Sequence, residues 1–189
     1  MYDQLPPNLV DKTGKLTDSR AVLKDKKVVA FYFSAHWCPP CRQFTPVLAR
    51  SYNQARQAGL AGGVELIFVS SDRSEGEMMS YLRESHGDWY ALPHGAGEAQ
   101  SLSAQYGVRG IPALVVVAMD GTVLSRDGRQ EVTSLGQLRL SSTLDNHLKY
   151  SLTRNVRILP VGISRPVRCR HLRSADVARQ PGGGEEVRL

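Results

Sequence analysis

The sequence predicts a mixed α/β fold, one central sheet with helices on both faces. Three observations lead there. The runs "KVVAFYFS" (27–34), "VELIFVS" (64–70) and "ALVVVAM" (113–119) are apolar with little or no alternation, as strands covered on both sides are. Stretches with apolar residues at helical spacing separate them. Asp120-Gly121, directly after the third run, is a two-residue hairpin signal leading into "TVLSR". The order strand–helix–strand–helix, followed by a hairpin and a helix, describes a mixed sheet between helical layers.

The first 27 residues are polar, with a short apolar "NLV", a turn at "KTGK" and a short helix over "SRAVLKD". The strand over 27–34 is β-branched and aromatic and is bounded by lysines. Phe44, Leu48, Tyr52 and Ala55 then mark an amphipathic helix over 39–57. Pro46 lies inside that helix, where it removes a backbone donor and predicts a kink. After the strand at 64–70, Ser74 and Glu77 form a capping box for a helix carrying Met78, Tyr81 and Leu82. A shorter helix spans about 97–106, with Leu102 and Tyr106 on one side and Gly107 as its stop. Leucines at 135, 138, 140, 144 and 148 predict a last helix. The reading divides the chain into a domain over 1–150 and a basic, poorly structured tail over 151–189, which lacks periodicity and contains "RQPGGGEEVRL".

The net charge of +6 is unevenly placed. Residues 1–148 hold 15 basic and 15 acidic side chains, whereas 149–189 hold 9 and 3. The basic excess therefore belongs to the tail, and nucleic acid is not an expected partner of the domain. The N-terminus has no apolar signal-peptide core, and no apolar run is long enough to span a bilayer, so no membrane role is expected. Three cysteines are too few for a disulfide framework, which points to a reducing compartment: cytoplasmic, with the nucleus a second location.

Two of those cysteines, Cys38 and Cys41, lie in "HWCPPCR" between the first strand and the long helix. A zinc clip needs four ligands. His36, Cys169 and His171 could contribute, but there is no second CxxC and the last two belong to the tail. A structural disulfide is disfavoured by compartment. A redox pair fits the placement, because a strand–CxxC–helix junction sets a cysteine against unpaired amides and the positive end of the helix dipole. Pro39 and Pro40 pre-set a helical first turn, which brings the Cys41 sulfur beneath that of Cys38. Cys38, nearer the helix start and expected to be the more exposed, is the candidate attacking thiolate; Cys41 is the candidate resolving thiol. Trp37 reads equally as packing or as a flat apolar contact for substrate. Ile111-Pro112, before the third strand, reads either as a cis peptide whose Ile111 backbone faces Cys38 and pairs with an extended substrate, or as an ordinary strand start. Cys169, a lone thiol among arginines, reads as either reactive or merely exposed.

Taken together, "WCPPC" after a strand, Pro46 five residues past the second cysteine and "GIP" before a hairpin resemble the thioredoxin superfamily. "VVAFYFSAHWCPPCRQFTP", "IFVSSDRSE", "DWYALP" and "YGVRGIPALVVVAMDGTVLSRDGR" narrow the resemblance to its nucleoredoxin and tryparedoxin branch, over about residues 5–132. The resemblance implies a thioredoxin fold, thiol–disulfide oxidoreductase activity, a nucleophilic Cys38, a resolving Cys41 and a cis Pro112. It implies a disulfide-containing protein substrate and an external dithiol or flavoprotein reductase, with no bound cofactor beyond the Cys38–Cys41 disulfide. For nucleoredoxin it further implies signalling partners such as Dishevelled in the Wnt pathway. Thioredoxin carries a buried aspartate six residues before its first cysteine; Tyr32 stands there in this chain, and core packing is the favoured reading for it.

Overall fold

The computed structural model describes residues 1–59 and 63–135. After a short 3-10 turn (Tyr2–Gln4), the elements are β1 (Asn8–Val10), β2 (Leu16–Asp18), α1 (Ser19–Leu23), β3 (Val28–Ser34), α2 (Pro39–Gln57), β4 (Val64–Ser70) and α3 (Glu75–Ser85). β5 (Tyr90–Ala91), α4 (Gly97–Gln105), β6 (Ala113–Ala118), β7 (Val123–Ser125) and α5 (Gly128–Leu135) follow. Among the described residues the strands form one sheet in the order β2-β1-β5-β4-β3-β6-β7. β3 is central: Tyr32 pairs with Phe68 of the parallel β4 and with Leu114 of the antiparallel β6.

Every residue of β3 is buried, which explains why its sequence does not alternate. Successive side chains point to opposite faces. Val28, Ala30 and Tyr32 pack with Phe44, Leu48 and Tyr52 of α2 and with Met78, Tyr81 and Leu82 of α3. Val29, Phe31 and Phe33 pack with Leu23 of α1, Leu102 of α4 and Tyr106. Each large side chain so buried contributes about 1.5–3 kcal/mol, and the two half-cores hold β3 from both sides. The head of α2 is thereby fixed, because β3 leads directly into it.

Local signals mark the right places but not always the expected geometry. α2 runs from Pro39 to Gln57 through Pro46 without interruption. Ser74 caps α3 by accepting from the Glu77 amide at 3.3 Å; the Glu77 carboxylate reaches back one residue further than expected, to the Arg73 amide at 3.1 Å. Gly107 ends α4 with φ +65, a conformation that favours glycine. The hairpin after β6 differs from the two-residue turn expected. The Gly121 amide bonds Ala118 O and the Ala118 amide bonds Thr122 O, leaving a three-residue loop with Gly121 at φ +93. A two-residue type I′ turn would need positive φ at Asp120 as well, and only the glycine adopts it.

Three strands were not anticipated. β1, β2 and β5 are only two or three residues long, too short for alternation to register. β1 and β2 pair through a turn in which Asp11 Oδ1 accepts from the amides of Thr13 and Lys15. Of the expected last helix, α5 covers the start; Leu138, Leu140, Leu144 and Leu148, the boundary near 150 and the 151–189 tail lie outside the described residues.

Candidate redox site

β3 delivers the chain to a tight turn in which the Cys38 amide bonds Ala35 O at 3.2 Å, and α2 starts at once with Cys38 as its N-cap. Cys38 and Cys41 are joined as a disulfide, with their Cα atoms 5.2 Å apart. The pair packs with Ala35 and Ile111 in a small apolar cluster. The Ile111–Pro112 peptide is cis, so of the two readings of this bond the first describes its geometry. Ile111 O lies 3.9 Å from Cys38 Sγ, in van der Waals contact in this oxidised state because a disulfide sulfur has no proton to donate. The β6 ladder begins only at Ala113, paired with Phe33, which leaves Ile111 ahead of it.

Of two expectations for the pair, the order of exposure holds and the supply of free amides needs correction. Cys38 is 4 % exposed, so it is buried, though it remains more accessible than Cys41 at 0 %. The apolar cluster with Ile111 covers it, a contact across 73 residues of sequence. The set of unpaired amides is also smaller than a helix N-terminus normally offers. The first two helical residues are Pro39 and Pro40, which carry no N–H, and the Arg42 amide is taken by Cys38 O at 3.1 Å. The Cys41 amide is therefore the first the helix can turn toward the Cys38 sulfur, beside the helix dipole itself.

Trp37 is 52 % exposed and its indole donates to Ser71 O at 3.0 Å. A residue packed for stability alone would bury more of its ring, so the exposure favours a surface contact role. The preceding residue is gripped as well. The His36 amide donates to Asp72 Oδ1 at 2.7 Å, and its ring stacks on Tyr81 with centroids 5.1 Å apart.

Beneath Cys41 lies a layer of buried hydroxyls that sequence reasoning largely missed. Thr45 Oγ1 donates to Cys41 O at 2.9 Å, Tyr32 lies 2.7 Å from Thr45 Oγ1, and Ser34 donates to Tyr32 at 3.0 Å. With the Thr45 proton committed to Cys41, Tyr32 and Tyr81 are left to donate to the remaining lone pairs of Thr45. Burial pushes the Tyr32 hydroxyl far above its usual range, so it stays neutral; it is a packed core residue, as favoured. Behind this layer His86 touches Tyr81, Phe68 and Tyr32 and accepts from the Trp89 indole at 3.1 Å. Its Nε2 is buried without a partner among the described residues, and burial lowers its pKa to about 3. No sequence signal marks these residues, because a buried serine, threonine or histidine looks like an exposed one until the sheet assembles. Among the described residues no three His, Cys, Asp or Glu side chains gather as a metal site. Cys169 and His171 lie outside the described residues.

A family model described as thioredoxin-like matches residues 25–123. Nucleoredoxin of Bos taurus is 47 % identical over 105 residues, which cover 55 % of this chain and 23 % of that protein. The chain thus spans about a quarter of the length of the curated relatives it matches. Among solved structures, thioredoxin related protein 16 of Carcinoscorpius rotundicauda superposes with a TM-score of 0.64 at 48 % identity, covering 74 % of this chain and 96 % of that one. Tryparedoxin from Trypanosoma brucei superposes with a TM-score of 0.60 at 32 % identity, covering 70 % and 89 %. The family match over residues 25–123 takes in β3, α2, β4 and β6, and the chain belongs to the thioredoxin-like family, with nucleoredoxins among the proteins it is similar to.

Proposed function

We propose that this chain is a protein-disulfide reductase. The observation that carries it is the sulfur pair at the head of α2, closed as a disulfide and facing Ile111 O beside the exposed Trp37. In the reduced protein, the Cys38 thiolate attacks a substrate disulfide. A bond forms between Cys38 and one substrate sulfur, and the other substrate sulfur leaves as a thiolate. Cys41 then loses its proton and attacks the Cys38 sulfur. The Cys38–Cys41 bond forms, and the second substrate sulfur leaves reduced. An external dithiol or a flavoprotein reductase supplies two electrons to reset the pair, and no tightly bound cofactor is required. Catalysis comes from holding the resolving thiol one helical turn from the nucleophile. Trp37, Ile111 and Pro112 form the surface against which an extended substrate lies.

Dithiothreitol-driven insulin reduction tests this reading. Cys38→Ser is expected to drop the rate to that of dithiothreitol alone; wild-type turnover in that variant would refute the mechanism. Cys41→Ser is expected to retain attack but accumulate a mixed disulfide, visible by mass spectrometry.

A second reading is favoured by the exposure of Trp37 directly beside the sulfur pair. Oxidation and reduction would change this surface and so the affinity for a signalling partner, with little turnover. The cytoplasm, with the nucleus as a second location, is the compartment that suits either reading. A partner whose binding tracks the Cys38–Cys41 state while insulin turnover is negligible would select this second one.

A further inference from the structure

We propose that Asp72 is a positioning residue for the redox turn: its carboxylate holds residue 36, and through it Trp37 and Cys38, in the orientation that a disulfide substrate meets. The proposal rests on the reading of Cys38 and Trp37 as the substrate-facing pair.

Asp72 is 8 % exposed, and a buried carboxylate is costly unless its lone pairs are used. Here they are spent on the turn. Oδ1 accepts from the His36 amide at 2.7 Å and Oδ2 from the Ser70 hydroxyl at 2.8 Å, while Ser70 Oγ accepts from the Asp72 amide at 2.9 Å. The same segment, at the end of β4, reaches the other side of the turn: Ser71 O accepts the Trp37 indole at 3.0 Å. Two further contacts converge on residue 36. Its ring stacks on Tyr81 at an interplanar angle of 11°, and its carbonyl accepts from Arg42 Nη1 at 2.8 Å.

Of these contacts, the one to Asp72 is a part-buried hydrogen bond whose acceptor is itself held in place by Ser70, whereas the bond from Arg42 is exposed to competing water. It therefore sets the spacing between residue 36 and Ser71 O, on which the indole bond depends. An exposed indole fixed at its N–H presents one face instead of sampling rotamers, which lowers the ordering cost when a substrate docks.

The test uses the full chain with 15N-labelled tryptophan. Two indole N–H signals are present: Trp37, bonded to Ser71 O, and Trp89, bonded to buried His86, which reports folding in the same spectrum. Asp72→Ala is expected to speed water exchange of the Trp37 indole about tenfold and to lower kcat/KM for insulin about tenfold, mainly through KM. Asp72→Asn keeps an acceptor for the His36 amide and is expected to restore both readouts. Unchanged Trp37 exchange in Asp72→Ala would overturn the proposal. An Asn variant as impaired as the Ala variant would also overturn it, by showing that charge and not position matters. If Asp72→Ala loses the Trp89 signal, Ser70→Ala replaces it; that variant removes the hydroxyl that aims the carboxylate at the His36 amide, and unchanged Trp37 exchange there counts equally against the proposal. A wild-type chain without reductase activity would remove the proposed function while leaving the exchange measurement to decide the role of Asp72.

Discussion

Cys38 illustrates what a single residue's surroundings decide. Its sulfur sits at the start of a helix, yet Pro39 and Pro40 deny it two of the amides that such a position normally supplies. This yields a prediction that separates dipole from hydrogen bond. Pro40→Ala restores an N–H at the second helical position, where an N-cap side chain finds its donor. In the reduced protein, the midpoint of Cys38 alkylation against pH is expected to move down by about one unit, the worth of one hydrogen bond to a charged group. An unchanged midpoint would mean that the amide does not reach the sulfur.

At the scale of elements, the site depends on helices docking closely on β6, β3 and β4. Gly128, the first residue of α5, shows how close that docking is. A Cβ built there would lie 2.9 Å from Leu114 O of β6, a backbone atom that cannot swing aside. Gly128→Ala is expected to destabilise the chain by about 1–3 kcal/mol, read as a lower urea midpoint. Because Leu114 pairs with Tyr32 and lies two residues past Pro112, the same variant is expected to disturb insulin turnover more than its stability loss implies. The adjacent hairpin repeats the lesson in milder form. Asp120-Gly121 marks the turn correctly, but the conformation of Asp120, set by the strands on either side, decides whether two residues or three make the loop.

At the scale of the whole molecule, the buried His86 couples stability to pH. Its pKa falls from 6.5 to about 3 because burial disfavours the cation, with the Lys12 ammonium adding a smaller push. Tyr32, Phe68, Tyr81 and Trp89 pack around the ring, and burial and Lys12 act on it in the same direction. Between those pH values the unfolded chain binds a proton that the folded chain refuses. The stability linked to His86 is therefore complete above pH 6.5 and is lost as pH falls. From pH 7 to pH 5 the loss amounts to about 2 kcal/mol. Glu65 acts in the opposite sense, since burial raises its carboxyl pKa despite Lys26 at 3.0 Å. The measurement is thus the difference in urea midpoint between pH 7 and pH 5, compared in wild type and His86→Phe. An equal pH dependence in both would contradict the assignment.

Sequence by itself determined what is local or repetitive along the chain. The unbroken apolar runs mark β3, β4 and β6, the spacing of Phe44, Leu48 and Tyr52 marks α2, and Ser74 marks the start of α3, because each signal acts within a few residues. The strand–CxxC–helix junction was legible for the same reason. Only the tertiary structure decided which distant groups meet there. Ile111 O reaches Cys38 across 73 positions, Asp72 reaches His36 across 36, and His86 is buried against strands and a helix that leave its Nε2 unpartnered. Such contacts depend on the order in which β4, β3 and β6 pack, and no short-range pattern encodes them.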